Sequence, residues 1–225
     1  MIPPMKSTGM NTAMIENVVA GFHQELAAMG PGKRAVRHKD VVGHQQSLEP
    51  DEVVAGVWVS CTSPLRTWFD LAGILSLDDL VMAGDFLLRR RNPLSTVDAL
   101  DTFLAGKKGR TGYRRALRAR TLMRANTDSP KETEVRLLLV RHGLPEPGVN
   151  VPILDENGCW IQDPDLSYQQ ERIAIQYDGA HHADPAQRRS DIFRDENARD
   201  AGWRVVDVHV DDVAVGEPVE VVEAA

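Results

Sequence analysis

Residues Asp163 to His182 read DPDLSYQQERIAIQYDGAHH. Asp165 to Tyr168 has the character of a short strand, and Gln169-Gln170-Glu171 that of a turn. From Arg172 to Asp178 the chain alternates: Ile173, Ile175 and Tyr177 share one face, while Ala174, Gln176 and Asp178 share the other. Gly179 ends this second strand, and His181 and His182 follow. A hairpin so built gathers Asp165, Gln176, Asp178, His181 and His182 at one end. Carboxylates brought together repel unless a cation lies between them, and an oxygen-rich cluster suits Mg²⁺ or Mn²⁺. Imidazoles beside such a cation move protons near neutral pH.

Working outward, Ser129-Pro130-Lys131-Glu132 opens a helix that turns Val135, Leu138 and Leu139 inward. Residues 149–154 and 160–161 flank Asp155-Glu156-Asn157-Gly158, a turn signal for a hairpin. A charged helix over 185–201 stops at Gly202, and 203–210 forms a last strand. The second half therefore runs α-β-β-β-α-β around a mixed sheet. The first half is mainly helical. A helix is expected over 12–29, ended by Gly30-Pro31-Gly32, and a basic patch follows at Lys33, Arg34, Arg37, His38 and Lys39. A strand is expected over 53–61. Helices are expected from Ser63-Pro64, from Ser76 to Arg91, over 96–105 with Ser95 as cap, and over 111–123. The fold class is α/β (α+β), with one region over 1–125 and a second over 126–225.

Net charge is −7 in 225 residues, which argues against a surface that coats DNA uniformly. The charge is unevenly placed. Residues 107–124 hold eight Lys or Arg and no acid, whereas 207–223 hold six acids and no Lys or Arg. Cys61 and Cys159 make neither a disulfide framework nor a zinc signature. With no apolar run of membrane-span length and no signal-peptide pattern, a cytoplasmic location is expected.

Pro164-Asp165, the strand ending Gln176-Tyr177-Asp178-Gly179, and the histidine after it together resemble the DUF559 group. That group is similar to the very-short-patch-repair (Vsr-like) endonucleases of the PD-(D/E)xK superfamily. The resemblance runs from Ser129 through Val205. The stretch VVGHQQSL…VSCTSPLRTWFDLAGILSLDDLVMAGDFLLRR resembles the AbiEi-type antitoxin region often found ahead of DUF559 domains. The resemblance implies a restriction-endonuclease-like second domain that hydrolyses DNA phosphodiesters with Mg²⁺ or Mn²⁺, in DNA repair or phage defence. It implies Asp165, Asp178 and Glu132 as metal ligands, DNA as partner, and a homodimer or a cognate toxin or antitoxin partner.

Each site residue has a plainer reading. Asp165 is a metal ligand or a turn-forming Asp. Gln176 stands where DUF559 members carry Glu, and no Lys follows where the superfamily has one. An amide lacks the formal charge of a carboxylate, so the alternative function is a non-catalytic, antitoxin-like DNA-binding regulator with a degenerate nuclease fold. His181 and His182 are proton carriers, extra metal ligands or a surface turn; adjacent side chains diverge, so one of the two is expected to face the site, and His182 is preferred. Glu132 is a metal ligand or the N3 member of a capping box with Ser129. Asp191, Arg194, Asp195 and Arg199 form an ion-pair ladder at helical spacing. Lys107, Lys108, Arg110, Arg114, Arg115 and Arg118 track a nucleic-acid backbone or pack against the acidic tail.

Overall fold

Apolar residues recur with helical spacing before Met123 and alternate after Pro164, so the chain has two kinds of apolar face to bury. It builds two units. One comprises the chain up to Leu87 together with Pro93–Met123; the other comprises Leu88–Asn92 and the chain from Arg124 on. The structure is a computed structural model that describes residues 37–38, 41–42, 47–55, 60–178 and 185–209, with side chains for 47–55, 60–177 and 192–209. The helix expected over 12–29 and the acidic stretch after residue 209 lie outside the described residues.

In the first unit, β1 (Arg37–His38) pairs with β2 (Val41–Val42), and β3 (Val53–Val54) with β4 (Cys61–Thr62), both antiparallel. The single strand expected over 53–61 is thus two short strands, the second returning along the first. The Ser63 N–H, donating to Glu52 O at 2.8 Å, pins the return. Ser63 Oγ then accepts from Arg66 N at 3.4 Å and caps α1 (Pro64–Leu71), with proline in the first turn. Ser76 Oγ caps α2 (Leu77–Leu87) by accepting from Asp79 N at 3.1 Å.

The α2 helix stops four residues before the expected Arg91. Leu87 O accepts from the N–H groups of Leu94 and Ser95, and Asn92 reverses the chain at φ 51°. Leu88–Asn92 belongs to the second unit, where Leu88 O accepts from Asn126 N at 3.0 Å. Thr96, not Ser95, caps α3 (Val97–Ala105), its Oγ1 accepting from Ala99 N at 3.2 Å. α4 (Tyr113–Leu122) begins at Gly112, with φ 84° and no side-chain cap. The buried surfaces of these helices include Trp68, Leu80, Val81, Leu87, Leu100, Leu104, Ala116, Ala119 and Met123. The Trp68 indole N–H donates to Leu80 O at 2.9 Å. Gly84 packs so closely against the Met123 side chain that a Cβ there would collide with its Cε and Sδ.

In the second unit α5 (Pro130–Arg141) precedes β5 (Gly148–Val149), the hairpin of β6 (Ile153–Leu154) and β7 (Trp160–Gln162), β8 (Leu166–Tyr168), β9 (Ile173–Asp178), α6 (Pro185–Asp200) and β10 (Arg204–His209). The sheet order is β10-β9-β8-β5. β9 and β10 run parallel, with α6 as their crossover; β8 is antiparallel to both β9 and β5. The sheet is therefore mixed, as expected, but five strands rather than three lie between α5 and α6, with β6 and β7 forming a separate hairpin. Residues 149 and 153 do not share a strand as expected: Asn150 adopts φ 50°, so β5 joins the sheet while β6 pairs with β7.

Alternation sorts the two faces. Ile173 and Ile175 pack with Val135 and Leu139 of α5 and with Leu166, Tyr168 and Val208. Ala174 packs with Ala198, Trp203, Ile153 and Ile161 on the other side. Gln176, two residues on from Ala174, shares its face.

Candidate functional site

The N-terminus of α5 abuts the start of β8. Ser129 Oγ accepts from Glu132 N at 3.3 Å, an ordinary cap. The reciprocal bond is displaced by one residue: Glu132 Oε2 accepts from Asp128 N at 2.9 Å rather than from Ser129 N. The same oxygen accepts from Asn150 Nδ2 at 2.8 Å. Asn150 also donates its backbone N–H to Asp165 O at 3.0 Å and its side-chain amide to Asn126 O at 3.0 Å. One buried asparagine thereby ties the Glu132 carboxyl to the backbone of Asp165. Asp165 Oδ2 accepts from Tyr177 N at 2.7 Å, which fixes its side chain to β9.

Glu132 is buried and Asp165 half-buried. Burial pushes Glu132 up to about 7, and the negative charge of Asp165 adds to the effect; the Asp128 N–H, Asn150 and Ser129 oppose it. Burial pushes Asp165 up to about 6, opposed by the Tyr177 N–H and by Arg90, while the Asp128 charge raises it. In a poorly solvated place, neighbouring carboxyls either keep protons or take up a cation.

Arg90 is the cation that the fold itself supplies. Its Nη1 donates to Asp163 Oδ2 at 2.8 Å and its Nη2 to Asp128 Oδ2 at 2.5 Å. Those bonds raise its pKa above the usual arginine value despite the opposing effect of burial. Asp163 Oδ1 also accepts from the indole N–H of the exposed Trp160 at 2.8 Å. Asp128 and Asp163 thus hold one guanidinium, whose charge is also felt by Asp165.

Of the ligand set expected from sequence, the structure brings together Glu132 and Asp165. Asp178 closes β9 in register with His209, and its side chain lies outside the described residues, as do His181 and His182. Gln176 is half-buried in register with Asp207. Among the described residues, no three His, Cys, Asp or Glu side chains are grouped to hold a metal ion. Among the described residues the donors are the hard carboxylate oxygens of Glu132 and Asp165, right in kind for Mg²⁺. Sequence reasoning missed Arg90 and Asn150. The signal for Asn150 was a residue type that tolerates φ > 0 between two strands; for Arg90 there was none, because its partners lie far along the chain.

The basic residues of the first unit separate into two groups. Lys107 departs from its expected phosphate-binding role. Its Nζ lies 2.6 Å from Glu52 Oε1 and 4.7 Å from the Phe103 ring centroid. Glu52 also accepts from Arg66 Nη1 at 2.9 Å. Burial pushes the Glu52 carboxyl up, but Lys107, the Glu49 N–H and Arg66 together hold it below its ordinary value. A buried acid needs such partners, and Lys107 is one of them. By contrast, Lys108, Arg110, Arg114, Arg115 and Arg118 are exposed. Arg115 Nη1 donates to Leu75 O at 2.8 Å. Among the described residues no carboxylate pairs with Lys108, Arg110, Arg114 or Arg118.

No family model matches the chain, and no solved structure matches it. Two uncharacterized proteins of Mycobacterium tuberculosis do: MT2308 from strain CDC 1551 / Oshkosh and Rv2248 from strain H37Rv. Each is 31% identical over 139 residues, covering 56% of this chain and 51% of the relative. The chain spans about half the length of the curated relatives it matches, and it is similar to both.

Proposed function

We propose that the second unit is a divalent-cation-dependent phosphodiester hydrolase acting on DNA. The observation that carries this reading is the Glu132–Asp165 pair, two poorly solvated carboxyls fixed from different elements at one end of the sheet. Glu132 and Asp165 would hold Mg²⁺ or Mn²⁺, with Asp178 as a third ligand. Bound there, the ion supplies Lewis-acid polarisation of a phosphoryl oxygen and a bound water of lowered pKa. Asn150 and the Tyr177 N–H orient the two carboxyls. Arg90 keeps Asp128 and Asp163 engaged, so that they rim the site. His181 or His182 carries the proton. The exposed cations of the first unit hold the DNA backbone.

The test is nicking of supercoiled plasmid by the full chain with Mn²⁺, Mg²⁺ or EDTA, beside Asp165→Ala. Metal-dependent nicking that the variant loses supports the reading. Nicking equal in the variant, or none with either metal, overturns it. A second reading is a DNA-binding regulator without catalysis. It is favoured by Gln176 at the position where the resembled group carries an acid. Its signature is metal-independent DNA binding with no cleavage.

A further inference from the structure

Ala72 and Gly73, at the end of α1, line an open cleft of about 750 Å³ together with residues of the loop 108–112 and the start of α4, Gly112 packing against Ala72 at its floor. That volume falls within the range of roughly 300–1,000 Å³ typical of small-molecule sites. Its wall carries Lys108, Arg110, Arg114, Arg115 and Tyr113 and, among the described residues, no acid. Four like charges converging on one concavity repel one another, and no carboxylate among the described residues neutralises Lys108, Arg110 or Arg114. The loop reads GKKGRTG from Gly106 to Gly112. Gly109 and Gly112 both take φ 84°, a conformation that favours glycine. A Cβ at Gly109 would meet nothing within 4 Å, so that glycine serves the turn and not packing. The turn contributes Lys108 and Arg110 to the lining, and α4 contributes Arg114 and Arg115.

We infer that this cleft is a nucleotide site, with the phosphate held by Arg110, Arg114 and Lys108 and the base laid against Tyr113. Guanidinium forks match phosphate oxygens in pairs, and an aromatic face accepts any base. The nucleotide arrives free or as one unit of a nucleic-acid strand; both sources present the same phosphate and base. The inference deepens the DNA-binding part of the proposal above and requires neither metal nor hydrolysis.

The test is calorimetric titration of the full chain in EDTA, where the acid cluster plays no part. The probes are adenosine 5′-monophosphate, adenosine, inorganic phosphate, and a short 5′-phosphorylated single-stranded DNA. The monophosphate binds once per chain, at least about tenfold more tightly than adenosine or phosphate. The double variant Arg110→Gln, Arg114→Gln lowers its affinity by about tenfold or more without changing Tm. Tyr113→Leu reduces it toward that of phosphate, and Tyr113→Phe restores it. An oligonucleotide far tighter than the monophosphate identifies a strand as occupant; equal affinities identify a free nucleotide. A monophosphate no tighter than phosphate, or indifferent to the double variant, overturns the inference. So does absence of binding by all four probes.

Discussion

The two units treat convergent charge in opposite ways. At the end of the second unit's sheet, buried Glu132 and half-buried Asp165 are linked through Asn150, and their environment pushes both toward the protonated form. Around the first unit's cleft, Lys108, Arg110, Arg114 and Arg115 converge at the surface, where solvent sustains their charge. Like charge in a poorly solvated place creates demand for a proton or a metal. Like charge on a wet concave wall creates demand for a multivalent anion. Lys107 belongs to neither case: it is one residue from the cleft's Lys108, yet its charge meets Glu52.

The largest expected effect tests the acid side. If the pair seats a divalent ion, Asp165→Asn lowers metal-dependent cleavage by about a hundredfold or more, since such an ion contributes several kcal/mol to the transition state. The same variant abolishes any rise in Tm produced by Mn²⁺ at pH 8 in the parent. Tm insensitive to Mn²⁺ in the parent would break the comparison on this side.

Next comes a pH effect. The Glu132 carboxyl is raised from 4.5 to about 7 on folding, so the folded chain binds the extra proton. Its stabilising contribution is fully present below about pH 4.5 and is lost as pH rises toward about 7. The loss is on the order of 3 kcal/mol. Glu132→Gln stays neutral, so the variant should be more stable than the parent at pH 8 by up to that amount and nearly equal at pH 4.5. Urea denaturation at both pH values checks it; parallel pH profiles for the two proteins would remove Glu132 from the argument.

Lys107→Met sharpens the contrast within the basic segment. Loss of a partner from the buried Glu52 should destabilise the first unit by about 2 kcal/mol, less than a fully orphaned charge because Arg66 remains. Binding of nucleotide or DNA should change little. A variant with normal Tm and weakened binding would return Lys107 to the phosphate surface. The smallest effect is Ser129→Ala, which should cost about 1 kcal/mol through loss of the α5 cap. If Ser129→Ala shifts the Glu132 titration as well, the cap and the acid cluster act as one assembly.

Much of the architecture was legible because the signals are local. Ser63, Ser76 and Ser129 each accept the bond expected of a cap, from a residue three positions on. The alternation over 173–177 correctly divided the faces of β9, and the order of elements called for a mixed sheet. The end of α2 was misread because apolar spacing continues to Leu88. The chain leaves the helix there to make contacts in the other unit. The acid cluster was half legible. Glu132 and Asp165 stand out by motif, whereas Arg90 meets Asp163 across 73 positions and Asn150 meets Glu132 across 18.

By itself, the sequence determined where helices begin, which strand residues face together, and where acids and bases are concentrated. Those properties depend on neighbours within one or two turns of chain. Only the tertiary structure decided which charges remain available. Among the described residues Lys107 is paired and Lys108 is not, and Glu132 bonds Asn150 as well as its own helix terminus. Desolvation and ion pairing depend on what packs alongside, and that is set by long-range contact, to which residue type and spacing are blind.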